Sequence, residues 1–68
     1  MANKIIWRLP AVIACTGVSR SGIYQKIADG QFPKSIRLGR RAVGWDSDEV
    51  QQWIQDRIDE SRREGQVA

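Results

Sequence analysis

The eleven residues Gly17-Val18-Ser19-Arg20-Ser21-Gly22-Ile23-Tyr24-Gln25-Lys26-Ile27 restrict this chain more than any other stretch. They spell a tight turn followed by a short helix whose outer face is polar and basic. Gly17 suits the left-handed backbone that ends a preceding helix, and Ser19 is placed to accept a bond from the free N–H groups of the next one. Val18 precedes that cap and stands five positions before Ile23, the spacing of a hydrophobic staple. Two short helices meeting at such a turn have the sequence form of a helix-turn-helix, in which the first turn of the second helix meets base edges and phosphates.

On either side of this turn the elements are short. Ile5-Ile6-Trp7-Arg8-Leu9 is β-prone and predicts a short strand. Pro10 suits the first position of a helix running from Pro10 to Thr16. The second helix is expected from about Arg20 to Asp29, with Gly30 as its C-terminal cap and Phe32-Pro33 forcing an extended exit. Ile36-Arg37-Leu38 and Ala42-Val43-Gly44-Trp45 flank Gly39-Arg40, a pair that suits a two-residue hairpin turn. In that register Leu38 faces Arg41 and Ile36 faces Val43, so that Ile36, Leu38, Val43 and Trp45 share the core side.

Asp46 and Glu49 have the spacing of a capping box and start the third and longest helix, where Val50, Trp53, Ile54 and Ile58 make one apolar stripe. Acids in a first helical turn are explained by the helix dipole, so Asp46, Asp48 and Glu49 read as a cap and not as a metal site. Past about Arg62 the pattern dissolves into an expected frayed tail, with the core lying within about residues 5–62. The fold class is therefore mainly α with a small β-hairpin: a winged helix-turn-helix of three helices plus a wing, in one domain spanning residues 1–68.

Charge adds a partner to this frame. From Met1 to Trp45 eight Lys/Arg stand against the single acid Asp29, a net of +7, whereas the remainder carries three Arg against seven acids, a net of −4. Such separation points to a basic front that meets a polyanion, with an acidic helix behind it. Nucleic acid is the expected polyanion. At about 100° per residue Ile23 and Ile27 form the buried edge of the second helix, while Ser21 and Gln25 fall near the opposite face.

Gln25 has the paired donor and acceptor that match adenine, and Arg20 the fork that matches guanine. Ser19, Tyr24 and Lys26 complete the expected contacts of this helix, Tyr24 and Lys26 on its flanks toward phosphate. The wing and its approaches supply Lys34, Arg37, Arg40 and Arg41, placed along a DNA backbone or in a minor groove.

Other chemistry finds few residues to work with. One cysteine and no histidine exclude an internal disulfide and a Cys/His zinc cluster drawn from this chain alone, and Cys15 reads as a small buried hydrophobe beside Leu9, Val12 and Ile13. There is no phosphate-cradling glycine loop and no nucleophile with a positioned base, so neither an enzyme nor a bound cofactor is expected. No apolar run approaches a bilayer span and the N-terminus lacks a secretion-signal layout, which leaves a cytoplasmic, nucleoid-associated protein as the expectation.

The succession Arg8-Leu9-Pro10, Thr16-Gly17-Val18-Ser19-Arg20-Ser21, Ile23-Tyr24, Gly30-Gln31-Phe32-Pro33, Arg37-Leu38-Gly39-Arg40-Arg41-Ala42-Val43-Gly44-Trp45 and Glu49-Val50-Gln51-Gln52-Trp53-Ile54 closely resembles the AlpA-type regulators of prophages and integrative elements. The likeness runs over roughly residues 5–58 and is most specific from Leu38 to Trp45. It implies a winged-helix fold related to MerR-type and excisionase DNA-binding domains. It also implies a role as a transcriptional regulator, an excisionase, or both. Ala11 stands where relatives often carry an acid and Gly22 where they often carry Thr.

Three functions follow as expectations. The first is a sequence-specific double-stranded DNA-binding regulator of a prophage or integrative element. The second is an excisionase that bends DNA at an attachment site. The third, and least favoured, is an adaptor for an acidic protein. Self-association on repeated DNA sites, and contact with an integrase or RNA polymerase, belong with the first two.

Overall fold

A computed structural model describes residues 4–67, the last four as backbone alone. The order of elements is β1 (Ile6–Trp7), α1 (Leu9–Thr16), α2 (Arg20–Ala28), β2 (Ile36–Arg37), β3 (Val43–Asp46) and α3 (Ser47–Val67). Three helices with a small antiparallel sheet make a mainly helical domain compatible with a winged helix-turn-helix. The predicted N-terminal strand joins the wing, giving the sheet order β1-β3-β2 with β3 in the middle.

Local chemistry accounts for where the helices begin and end. Leu9 and Pro10 open α1, so the proline occupies the second helical position, one later than its preference suggests, and still within the turn whose N–H groups lack helical partners. Gly17 closes α1 with φ 74°, its N–H bonded to the Ile13 carbonyl at 2.8 Å. Only glycine adopts that backbone without cost.

At the other end of α2, Gly30 also has φ 74°, the Gly30 N–H donates to Ile27 and the Gln31 N–H donates to Lys26 at 2.8 Å. These paired bonds are a Schellman ending, which satisfies carbonyls that the helix leaves open. At the start of α3 the Asp48 N–H donates to the Asp46 carboxylate at 2.9 Å. Lys4 reaches the same carboxylate at 3.1 Å, and its ammonium is the main reason the Asp46 carboxyl is held below its ordinary range, with the Asp48 backbone N–H next.

The core is formed by Val12 from α1, Ile23 from α2, Phe32 from the loop, Trp45 from β3 and Val50 from α3, with Trp7, Leu9, Ile13, Val18, Ile27, Val43, Trp53 and Ile54 packed around it. Two indoles pin the segment between α2 and β2. Trp45 Nε1 donates to the Pro33 carbonyl at 3.0 Å, and Trp53 Nε1 donates to the Gln31 carbonyl at 2.7 Å. Phe32 is held between these anchors, with its ring edge-on to Trp53 at 4.9 Å. Each indole therefore packs its body against the core while its N–H is satisfied by a loop carbonyl.

Three expectations are corrected. Ile36 pairs with Gly44 and Arg37 with Val43, so the wing turns through Gly39-Arg40-Arg41 and not through a two-residue Gly39-Arg40 turn. The Leu38 N–H closes that loop on the Ala42 carbonyl at 2.8 Å, and Gly39 is absent from the glycines with positive φ, which a two-residue turn led by glycine requires. One extra loop residue reverses the parity of β2. Ile36 and Leu38, expected in the core, therefore lie on the outer face and are 38% and 46% exposed, while Arg37 shares the face of Val43 and Trp45.

Second, Cys15 is exposed, because Val12 is the residue of α1 that turns inward. Third, the backbone of α3 stays helical to Val67, beyond the expected end near Arg62. Arg63, Glu64 and Gln66 are good helix formers and no stop signal intervenes apart from Gly65, whose cost is about 1 kcal/mol. Ala68 lies outside the described residues.

The outer face of the sheet explains Gly44. A side chain there would run into the Ile6 Cγ2 methyl, and would meet Leu38 Cδ1 and the Trp7 carbonyl oxygen, each at 3.1 Å. Because one obstacle is backbone, the site cannot relax by rotamer change alone. Gly44→Ala is expected to cost about 1–3 kcal/mol, seen as a lower midpoint in thermal melting. An unchanged midpoint would mean that Ile6 and Leu38 do not close over this position.

Candidate nucleic-acid interface

The surface begins with how α2 is held. Ser19 is its N-cap, with extended backbone and a side-chain oxygen that accepts from the Gly22 N–H at 3.2 Å. Gly22 sits so close beneath this turn that an added Cβ would lie 2.8 Å from Val18 Cγ1 and 3.1 Å from Ser19 Oγ. A side chain at position 22 would therefore require the side chains of the turn, Val18 and Ser19, to shift. Ile23 is fully buried and Ile27 half-buried, which fixes the rotation of α2 and turns Ser21 and Gln25 outward.

On one flank the Arg20 guanidinium lies 6.0 Å from the centre of the Tyr24 ring, and that ring meets Trp45 edge-on at 6.4 Å. Tyr24 is therefore the outer edge of the core as well as part of the exposed surface, at 40% exposure. The stack also restrains Arg20 at the mouth of the helix. Lys26 is half-buried on the other flank. Gln25 donates through Nε2 to both carboxylate oxygens of Asp29, at 3.3 and 3.4 Å. That contact was legible as a Gln–Asp pair one helical turn apart, but reading Asp29 only as the end of the helix hid it.

Lys34, Arg37, Arg40 and Arg41 are all exposed. The corrected register puts Arg37 on the face of the sheet that carries Trp45, the residue against which Tyr24 of α2 leans. Arg40 and Arg41 occupy the tip, both inside the three-residue loop. Among the described residues the ion pairs join Lys4 to Asp46 and Asp48 and Arg57 to Glu60. None of them uses Arg20, Lys26, Lys34, Arg37, Arg40 or Arg41, so these charges are not neutralised within the fold.

Lys4, counted with the basic front, instead braces the start of α3. A separate open groove of about 550 Å³ is lined by Gly30, Gln31, Phe32, Pro33, Trp53 and Arg57 and includes none of the candidate contacts. Among the described residues no helix is long and apolar enough to cross a membrane, and no group of three or more His, Cys, Asp or Glu is disposed to hold a metal ion.

Residues 5–58 match the family described as Prophage CP4-57 regulatory protein (AlpA). The chain belongs to the AlpA family. Among its relatives, the DNA-binding transcriptional activator AlpA of Escherichia coli (strain K12) is 41% identical over 58 residues, a match covering 76% of this chain and 83% of that protein. The uncharacterized protein ORF88 of Enterobacteria phage P4 is 43% identical over 51 residues, covering 75% of this chain. The match spans 58% of the phage protein's length. The AlpA match takes in α1, the turn, α2, the sheet and the packed half of α3, so the family's shared part is the part that builds this surface.

Proposed function

We propose that this member of the AlpA family is a sequence-specific double-stranded DNA-binding protein that regulates transcription in a prophage or integrative element. In this reading the first turns of α2 enter a major groove, with Arg20, Ser21 and Gln25 toward base edges and Ser19, Tyr24 and Lys26 toward the backbone. Lys34, Arg37, Arg40 and Arg41 bind phosphates alongside. The observation that carries the proposal is a capped, core-anchored helix and a basic wing whose cations, among the described residues, have no acid partner within the fold. Membership of a family that includes a DNA-binding transcriptional activator supports it. Self-association on repeated sites and contact with RNA polymerase or an integrase belong to the same proposal.

The test is duplex binding as a function of salt. Each neutralised phosphate releases counterions and contributes about −0.9 to the log–log slope, so several contacts predict a slope steeper than about −2. A shallower slope would refute a broad basic face. The double variant Arg40→Ala/Arg41→Ala should flatten the slope by about 1.8 and weaken all sequences nearly alike, because backbone contacts carry little sequence information. Altered base preference with an unchanged slope would instead make the wing a reader of bases. Footprinting then separates the regulator, which protects a promoter, from an excisionase, which protects repeats beside an attachment site and bends them.

A further inference from the structure

Asp29 is the single acid among the first 45 residues, and it stands where an acid is least expected. It caps the C-terminal end of α2, where the helix dipole disfavours negative charge, and α2 is the helix proposed to approach a polyanion. Its backbone is held by the helix ending, the N–H donating to the Gln25 carbonyl at 3.0 Å. Its carboxylate receives the Gln25 side-chain amide at 3.3 and 3.4 Å. Ser21, Gln25 and Asp29 follow one another at four-residue steps and so share one stripe of the exposed face.

From this juxtaposition we infer that Asp29 is a positioning residue that fixes the amide of Gln25 in one of its two orientations and so sets which base Gln25 prefers. The inference rests on the DNA-binding reading above. A carboxylate only accepts hydrogen bonds, whereas the Gln amide carries an acceptor oxygen and a donor nitrogen that a half-turn exchanges. Asp29 selects the orientation with Nε2 toward itself. Oε1 and the second N–H of Nε2 then remain for the groove.

One acceptor beside one donor matches adenine, whose N6–H is accepted by Oε1 while its N7 receives the N–H. Guanine presents two acceptors, N7 and O6, so Oε1 would face O6 with no proton between them. Without Asp29 both N–H groups of Nε2 are free, so the amide can turn Oε1 away from the base edge and donate to N7 and O6 of guanine, and the discrimination weakens.

The experiment selects bound sequences from a random duplex library with the unmodified chain, Asp29→Asn, Asp29→Glu, Gln25→Ala and the double variant Asp29→Asn/Gln25→Ala. Melting curves are recorded for each. The readout is the adenine-to-guanine ratio at the base position whose preference Gln25→Ala abolishes. Asp29→Asn should reduce that ratio about tenfold, because asparagine offers Gln25 either a donor or an acceptor and no longer chooses between its orientations.

Asp29→Glu, which keeps the acceptor, should retain most of the ratio. Asp29→Asn should add nothing once Gln25 is absent. The inference is overturned if Asp29→Asn tightens binding to all duplexes alike with the ratio intact, or if it changes base preference equally without Gln25. It is also overturned if the unmodified chain binds duplex with a steep salt dependence but selects no adenine there. The DNA reading itself fails on a different result, the absence of salt-dependent duplex binding by the unmodified chain.

Discussion

Trp45→Ala should leave this domain largely unfolded at room temperature. Trp45 is completely buried in the central strand, meets Tyr24 edge-on, and sends its indole N–H to the Pro33 carbonyl. Truncating a large core aromatic costs about 3–5 kcal/mol, and the Pro33 carbonyl loses its partner as well. A domain of this length has on the order of 3–10 kcal/mol in total. Trp45→Phe should be milder, since it keeps most of the packing and loses chiefly the N–H bond. Trp53→Ala should also cost less than Trp45→Ala because Trp53 is only half-buried. Thermal and urea melts of the three variants test the order. A cooperative transition for Trp45→Ala within a few degrees of the parent would mean that the sheet does not depend on this indole.

What could be read in advance of the structure follows the range of the interaction. Gly17, Ser19 and Gly30 act within one turn of chain, and each is found in its expected terminal role. Helical periodicity alone places Ile23 and Val50 on buried faces, as found. The wing failed at its register because parity depends on a single loop residue. Gly39-Arg40 has the composition of a short turn, yet the three-residue loop lets Ile6 of β1 and Leu38, just past β2, close over Gly44 of β3, a contact that no local rule contains.

Cys15 failed for a related reason, since α1 is nearly apolar all round and its rotation is decided by what it meets. Of the candidate interface, the identities of the basic residues were visible in the sequence. Their relations were not: the Arg20–Tyr24–Trp45 stack and the Gln25–Asp29 pair depend on side-chain geometry across a turn or between elements.

Arg20→Ala should reduce affinity for the preferred duplex about 5- to 150-fold, corresponding to about 1–3 kcal/mol, and affect random duplex much less. Arg20 is in the first turn of α2, beyond the Ser19 cap, and its guanidinium lies against the Tyr24 face, so it meets DNA already restrained. Restraint lowers the entropy lost when its fork engages guanine. The same geometry separates recognition from folding: Arg20 and Gln25 are exposed, whereas Ile23 is fully buried and anchors the helix. Gln25→Ala should cost a similar amount on the preferred duplex and likewise leave the melting midpoint nearly unchanged.

Tyr24→Phe keeps the ring under Arg20 and against Trp45, and should therefore preserve base preference where Tyr24→Ala degrades both preference and stability. Paired titrations on preferred and random duplexes, with melting curves for every variant, resolve these effects. Equal losses for Arg20→Ala on the two duplexes, in a protein that melts normally, would mean that α2 only grips phosphates and that sequence is read by another part of the surface.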